Sequence, residues 1–164
     1  MQHPSLVSAT QTDIPTISEL AHKIWNQHYP SIIGQAQIDY MLGKMYDKYS
    51  LKEQILIKKH RFYLIEFEGK AIGFISIYEE SQNKWFIAKF YIDQTLAGKG
   101  LGASVFKEIL SLTSAQSIRL TVNRENYKAI NFYFKLGFKI EKVADFDIGQ
   151  GYVMNDFVML WGKV

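Results

Sequence analysis

Three glycines at alternate positions, Gly98, Gly100 and Gly102, follow an apolar run ending Phe90-Tyr91-Ile92 and precede a helical pattern. Lacking a Cβ, glycine lets the backbone come close to a ligand and take conformations that other residues resist. The amides at a helix start lie at the positive end of its dipole, which makes a ready anion site. The loop Ala97-Gly98-Lys99-Gly100-Leu101-Gly102 therefore predicts a phosphate-bearing ligand.

Two familiar phosphate loops do not fit. Gly98-x-Gly100-x-x-Ala103 satisfies the dinucleotide fingerprint, but that fingerprint opens a long parallel sheet. Here about 90 residues precede the loop and about 60 follow it, too few for a second mononucleotide half. A nucleotide-triphosphate loop also fails: Lys99 is followed by Gly100, with no Ser or Thr where the metal ligand belongs. The plain alternative is a tight turn with no ligand.

Composition narrows the classes. The chain has 164 residues, 48% hydrophobic and 15% aromatic, which predicts one packed domain over residues 1–164. A net charge of +3 with dispersed Lys and Arg gives no nucleic-acid stripe. There is no cysteine, so disulfides and a thiol nucleophile are excluded and a cytoplasmic location is expected. No leader pattern and no bilayer-length apolar run is present, so no membrane partner is expected. The four His residues are dispersed, and no metal site is predicted.

The elements that must hold the loop follow from hydrophobic period. A short strand near 6–9 leads to Asp13, read as an N-cap, with Pro15 early in a helix over 14–28. A second helix is expected at 35–46, and Ser50–Lys59 is a candidate for a further short one. Three β-rich runs follow at 61–67, 71–78 and 85–92, the first two joined by the turn Glu68-Gly69-Lys70. Beyond the loop come a helix at 100–114, a strand at 117–123, a helix at 126–136, and strands at 138–146 and 151–161. The helix at 126–136 has Asn126 as its cap and Gly137 as its stop. The order predicts an α+β fold: a mixed, mostly antiparallel twisted sheet of about seven strands, flanked by about four helices.

The segment Asn123-Arg124-Glu125-Asn126 to Leu136-Gly137-Phe138, with Ala129-Ile130 and Phe132-Tyr133 inside it, resembles the signature of the GCN5-related N-acetyltransferase (GNAT) superfamily. The glycine loop matches that family's Q/R-x-x-G-x-G/A motif at Ala97, Gly100 and Gly102, with Ala97 where Gln or Arg is usual. The stretches Trp25-x-x-x-Tyr29, Gln37–Leu42 and Tyr152–Met159 look like the bacterial subgroup that includes PaiA-type polyamine acetyltransferases.

The resemblance implies acetyl-CoA as co-substrate, with its pyrophosphate on Ala97, Gly98, Lys99, Gly100, Leu101 and Gly102. It places the pantetheine arm along Phe90-Tyr91-Ile92 and a cofactor contact at Asn126. Tyr133 is the expected general acid, since a phenol near pKa ~10 can protonate a thiolate whose acid has pKa ~8.5. Trp25 and Tyr29, with His28 and Tyr40 beside them, are expected to line the acceptor site. The base is open. The strand at 85–92 carries no carboxylate, which leaves Glu79, Glu80, Asp147, Asp156 or a water relay. The expected reaction is direct attack by a primary amine in a ternary complex, the acceptor a polyamine as the subgroup resemblance implies, with a protein, peptide or amino-acid amine as the alternative. The competing class is an acyl-CoA-binding or sensor module without turnover. The Met- and aromatic-rich final strands are a candidate surface for a homodimer.

Overall fold

The computed structural model describes residues 2–164. Its elements run β1 (Ser5–Ser8), α1 (Ile14–His28), α2 (Gln35–Met45), α3 (Lys48–Leu56), β2 (Arg61–Phe67), β3 (Lys70–Ser81), β4 (Lys84–Ile92), α4 (Leu101–Thr113), β5 (Ser117–Asn123), α5 (Tyr127–Leu136), β6 (Lys139–Gly149) and β7 (Tyr152–Gly162). The strand order is β1-β2-β3-β4-β5-β7-β6. β1–β2, β2–β3, β5–β7 and β6–β7 are antiparallel; β4–β5 is parallel over Lys84–Phe86 and Ser117–Arg119. This is the mixed α+β sheet expected, with five α-helices instead of about four.

The fifth helix is α3. Only Leu51 and Gln54 of it are buried, so its apolar stripe is short; Asp47 starts it by accepting a hydrogen bond from the Ser50 amide at 2.7 Å. A second local difference lies at the start of α1. Asp13 makes no side-chain cap to that helix; its carboxylate accepts instead from the Thr10 amide at 2.9 Å and fixes the preceding 3-10 turn.

The chain falls into two compact units: residues up to Tyr78 with Lys89–Leu112, and Glu79–Ala88 with Thr113–Val164. In the first, the α1 side chains Ile17, Ala21, Ile24 and Trp25 are at most 1% exposed, and the strand side chains Phe62, Ile65, Phe74 and Ile75 at most 2%. Each of the Ile and Phe side chains among them contributes about 1.5–3 kcal/mol by leaving water. Gly73 in β3 is forced by packing: a Cβ there would lie under 3 Å from the Tyr91 carbonyl oxygen and the Ile92 Cα. β3 thus sets the path of the strand end that precedes the glycine loop. In the second unit, Ile118, Leu120, Val122, Ile130, Tyr133, Phe138, Val158 and Met159 form the buried set.

Candidate active site

In the first unit the glycine loop takes the backbone its sequence demands. Gly98 and Gly100 have φ of 82° and 73°, the left-handed region that favours glycine. Nothing lies within 4 Å of a Cβ built at either, so handedness and not crowding selects the residue. Gly102 is not in the loop at all; it sits in the first turn of α4, which begins at Leu101. That turn leaves its leading amides without intrahelical acceptors, which is what an anion requires. Ala97 is extended, and its amide donates to the Gln94 carbonyl at 3.3 Å, so this amide serves the turn. Lys99 is exposed.

The loop is anchored from behind by Asp93, a residue the sequence reading passed over. Its carboxylate accepts from Lys23 Nζ at 2.8 Å, Gln27 Nε2 at 3.3 Å, the Thr95 amide at 3.0 Å and Thr95 Oγ1 at 2.8 Å. Gln27 Oε1 in turn accepts from the Gln94 amide at 3.1 Å. Burial alone would raise the Asp93 pKa, but these donors, Lys23 foremost, hold it well below the usual carboxylate range. Two α1 side chains one turn apart therefore fix where the loop begins.

Trp25 and Tyr29 are 1% and 8% exposed and belong to a buried ring cluster with Tyr46, Phe74 and Tyr91. The Tyr46 hydroxyl lies close to Trp25 Nε1 and the Tyr91 phenol without meeting hydrogen-bond geometry, and burial pushes its pKa well above the usual phenol value. Beside these rings, Lys89 of β4 is 6% exposed, its Nζ 5.4 Å from the Tyr46 ring and 5.9 Å from the Phe62 ring. Burial, with the nearby Lys58 charge, lowers its pKa to about 8. His28 and Tyr40 are half-buried.

In the second unit, Asn126 caps α5 as expected, its side chain accepting from the Ala129 amide at 3.2 Å, and Gly137 ends the helix at φ 102°. Tyr133 is 8% exposed, packed 5.3 Å from the Phe132 ring and 5.4 Å from Phe138. Among the four acids considered as base, Glu79, Glu80 and Asp147 are exposed and Asp156 is not. Asp156 pairs with Asn123 at the end of β5, is 6% exposed, and its Oδ1 has no hydrogen-bond partner. Burial raises its pKa to about 6 against the lowering effect of Arg124 and Thr121, while Asp145 adds to the rise. A buried carboxylate with a raised pKa and an idle oxygen has the chemistry of a general base near neutral pH. Among the described residues, no cluster of His, Asp or Glu suits a metal.

The acetyltransferase (GNAT) family model matches residues 20–138, from α1 through the glycine loop to the end of α5. The chain belongs to this family. GNAT enzymes draw the acetyl group from acetyl-CoA. Over 149 residues, covering 85% of this chain and 92% of the relative, the GNAT chain is 26% identical to a spermidine N(1)-acetyltransferase of Thermoplasma acidophilum. It is 29% identical over 93 residues, 49% of the chain, to a spermine/spermidine N(1)-acetyltransferase of Bacillus subtilis, spanning 60% of that relative. Among solved structures it is similar to a PaiA N-acetyltransferase from Thermoplasma acidophilum in complex with coenzyme A. That likeness has a TM-score of 0.79 at 24% identity and covers 98% and 99% of the two chains.

Proposed function

We propose that this chain catalyses transfer of an acetyl group from acetyl-CoA to the primary amine of a small molecule by direct attack in a ternary complex. The observation that carries the reading is the Gly98–Gly100 loop, left-handed at both glycines, opening onto a helix N-terminus and anchored through Asp93. Amides from Gly98 through Gly102 are the donors suited to the pyrophosphate, with Lys99 as a supplementary charge. Phe90, Tyr91 and Ile92 offer the strand end along which a pantetheine arm adds like a further strand. The bound donor supplies an activated acyl carbon and a thiolate leaving group.

Tyr133 is the acid for the departing thiolate, and its burial keeps its proton from bulk water. Asp156 is the base that takes a proton from the acceptor's ammonium and so frees the amine lone pair for attack, a role supported by its idle Oδ1 and its pKa near 6. Asn126 contributes through its position at the head of α5. A polyamine acceptor is supported by the names of the relatives, an amino acid or peptide amine by the breadth of GNAT chemistry. A non-catalytic acyl-CoA sensor is favoured by one observation, the absence of any carboxylate on β4.

Thiol release from acetyl-CoA, followed with polyamines, amino acids and short peptides, tests the reading. Release dependent on one amine class is expected; tight coenzyme binding without release for any amine would establish the sensor instead.

A further inference from the structure

Lys89 is where the core of the first unit fails to balance its charge. The alternation of β4 buries Trp85, Ile87 and Lys89 together, so the ammonium enters the core on a face that should be apolar. Among the described residues it makes no ion pair. The charged or titratable groups that bear on it are Lys58, which repels it, His60, kept neutral by burial and by these two lysines, and Tyr46, kept protonated. Five more side-chain atoms of the first unit are buried without a hydrogen-bond partner: Tyr46 OH, Ser76 Oγ and Trp25 Nε1, which can donate, and Gln54 Oε1 and His60 Nδ1, neutral groups that carry no negative charge. Ser76 stands directly opposite Phe62 in the β2–β3 register, so both point to one face, and Lys89 Nζ lies 5.9 Å from the Phe62 ring as well as 5.4 Å from the Tyr46 ring. The core thus offers a cation and several donors, with no anion to receive them. Groups buried this way are rare unless something pairs with them.

We propose that Lys89, with the hydroxyls of Tyr46 and Ser76, receives a carboxylate, and that the amine this enzyme acetylates therefore carries a carboxylate of its own. The second clause rests on the acetyltransferase reading above; the first does not. A carboxylate accepts from an ammonium and two hydroxyls at once, with charge-assisted bonds to the first. A polycation offers no acceptor to these donors and adds a like charge beside Lys89 and Lys58. The acceptor class indicated is an amino acid or a similar amino-carboxylate, in contrast to the polyamines named for the relatives.

Two measurements on the full chain separate the parts. First, thermal melting is followed during titration with sodium acetate at pH 7, with sodium chloride at matched ionic strength as control. A saturating rise with acetate alone is expected. It should weaken at least tenfold in apparent affinity at pH 9.5, where Lys89 is largely neutral, be absent in Lys89→Met, and be several-fold weaker in Ser76→Ala. Acetate acting like chloride, or Lys89→Met responding like wild type, overturns the site. Second, acetyl-CoA thiol release is compared for a set of α- and ω-amino acids and for spermidine. The expected result is a kcat/KM at least tenfold higher for an amino acid, with that preference lost in Lys89→Met. Faster release with spermidine overturns the acceptor class while leaving the acetyltransferase reading intact. Absence of release with every amine tested overturns that reading, and the acetate titration still decides the site.

Discussion

The Lys23 ammonium and the Asp93 carboxylate meet at 2.8 Å across 70 positions of sequence, tying the third turn of α1 to the residue from which the glycine loop departs. Lys23 is about half exposed and Asp93 nearly buried, so the carboxylate gains more from the pair than the lysine does. With Gln27 and Thr95 sharing the same carboxylate, the start of the loop is over-determined.

Asp93→Asn keeps the shape and removes the charge. The expected loss is about 1–3 kcal/mol of stability, the usual worth of hydrogen bonds to a charged group. Because the folded pKa is depressed, that contribution is present above the ordinary Asp value near ~4 and is lost as pH falls below it. The wild-type and variant denaturation curves should converge on acidification. Coenzyme A affinity, read by calorimetry, should fall about tenfold as the loop loosens.

Gly73→Ala places a methyl against the Tyr91 carbonyl. Backbone cannot yield as a side-chain tip can, so destabilisation of about 3 kcal/mol is expected in urea unfolding. An unchanged midpoint would show that β4 can move away from β3 without cost.

Asp156 gives a prediction with opposite signs for stability and activity. Its folded pKa is about 6, above the ordinary value, so ionisation in the folded state costs stability, and that cost is complete above pH 6. Asp156→Asn should be more stable than wild type by about 2–3 kcal/mol at pH 7.5, the difference shrinking as pH falls from 6 towards 4. Turnover should drop at least ~100-fold, and the rising limb near pH 6 in the rate profile should vanish. A profile that keeps this limb in the variant assigns the base elsewhere.

For Tyr133→Phe, which keeps the ring packing on Phe132 and Phe138, turnover should fall by about 100- to 10,000-fold with coenzyme affinity nearly unchanged. Single-turnover kinetics separates the two.

Lys89→Met should be more stable than wild type near neutral pH, by up to about 3 kcal/mol. The lysine pKa is lowered on folding, so the cost of its burial is full at pH 7 and fades as pH rises from about 8 towards the unfolded value. Melting curves at pH 7 and pH 10 should show the gap narrowing.

The element order was legible because the hydrophobic period changes cleanly at Arg61, and because Asn126 and Gly137 bracket α5 as caps that local chemistry dictates. α3 was blurred: a helix that buries only Leu51 and Gln54 writes almost no stripe into its sequence. The site was legible in its backbone parts alone. Gly98 and Gly100 announce a left-handed loop, whereas Asp93 reads as an ordinary turn aspartate until α1 brings Lys23 and Gln27 to it. Asp156 stood among four candidate acids with nothing in the sequence to single it out, and Lys89 was hidden for a related reason. Each is one charged residue among apolar neighbours in a strand, and alternation alone does not say that the charged position points inward.

At Gly98 and Gly100 the demand is for handedness and not for room. Tolerated replacements should therefore follow left-handed propensity, with Asn ahead of Ala despite its bulk. Glycine codons reach Ala, Val, Ser or Asp by a single base change, but Asn only by two steps. Of the residues within one step, Asp alone accepts a left-handed backbone readily, and it would set a negative charge where the proposed function puts the pyrophosphate. The loop is therefore isolated in mutational space: each accessible neighbour either strains the chain or would repel the proposed pyrophosphate.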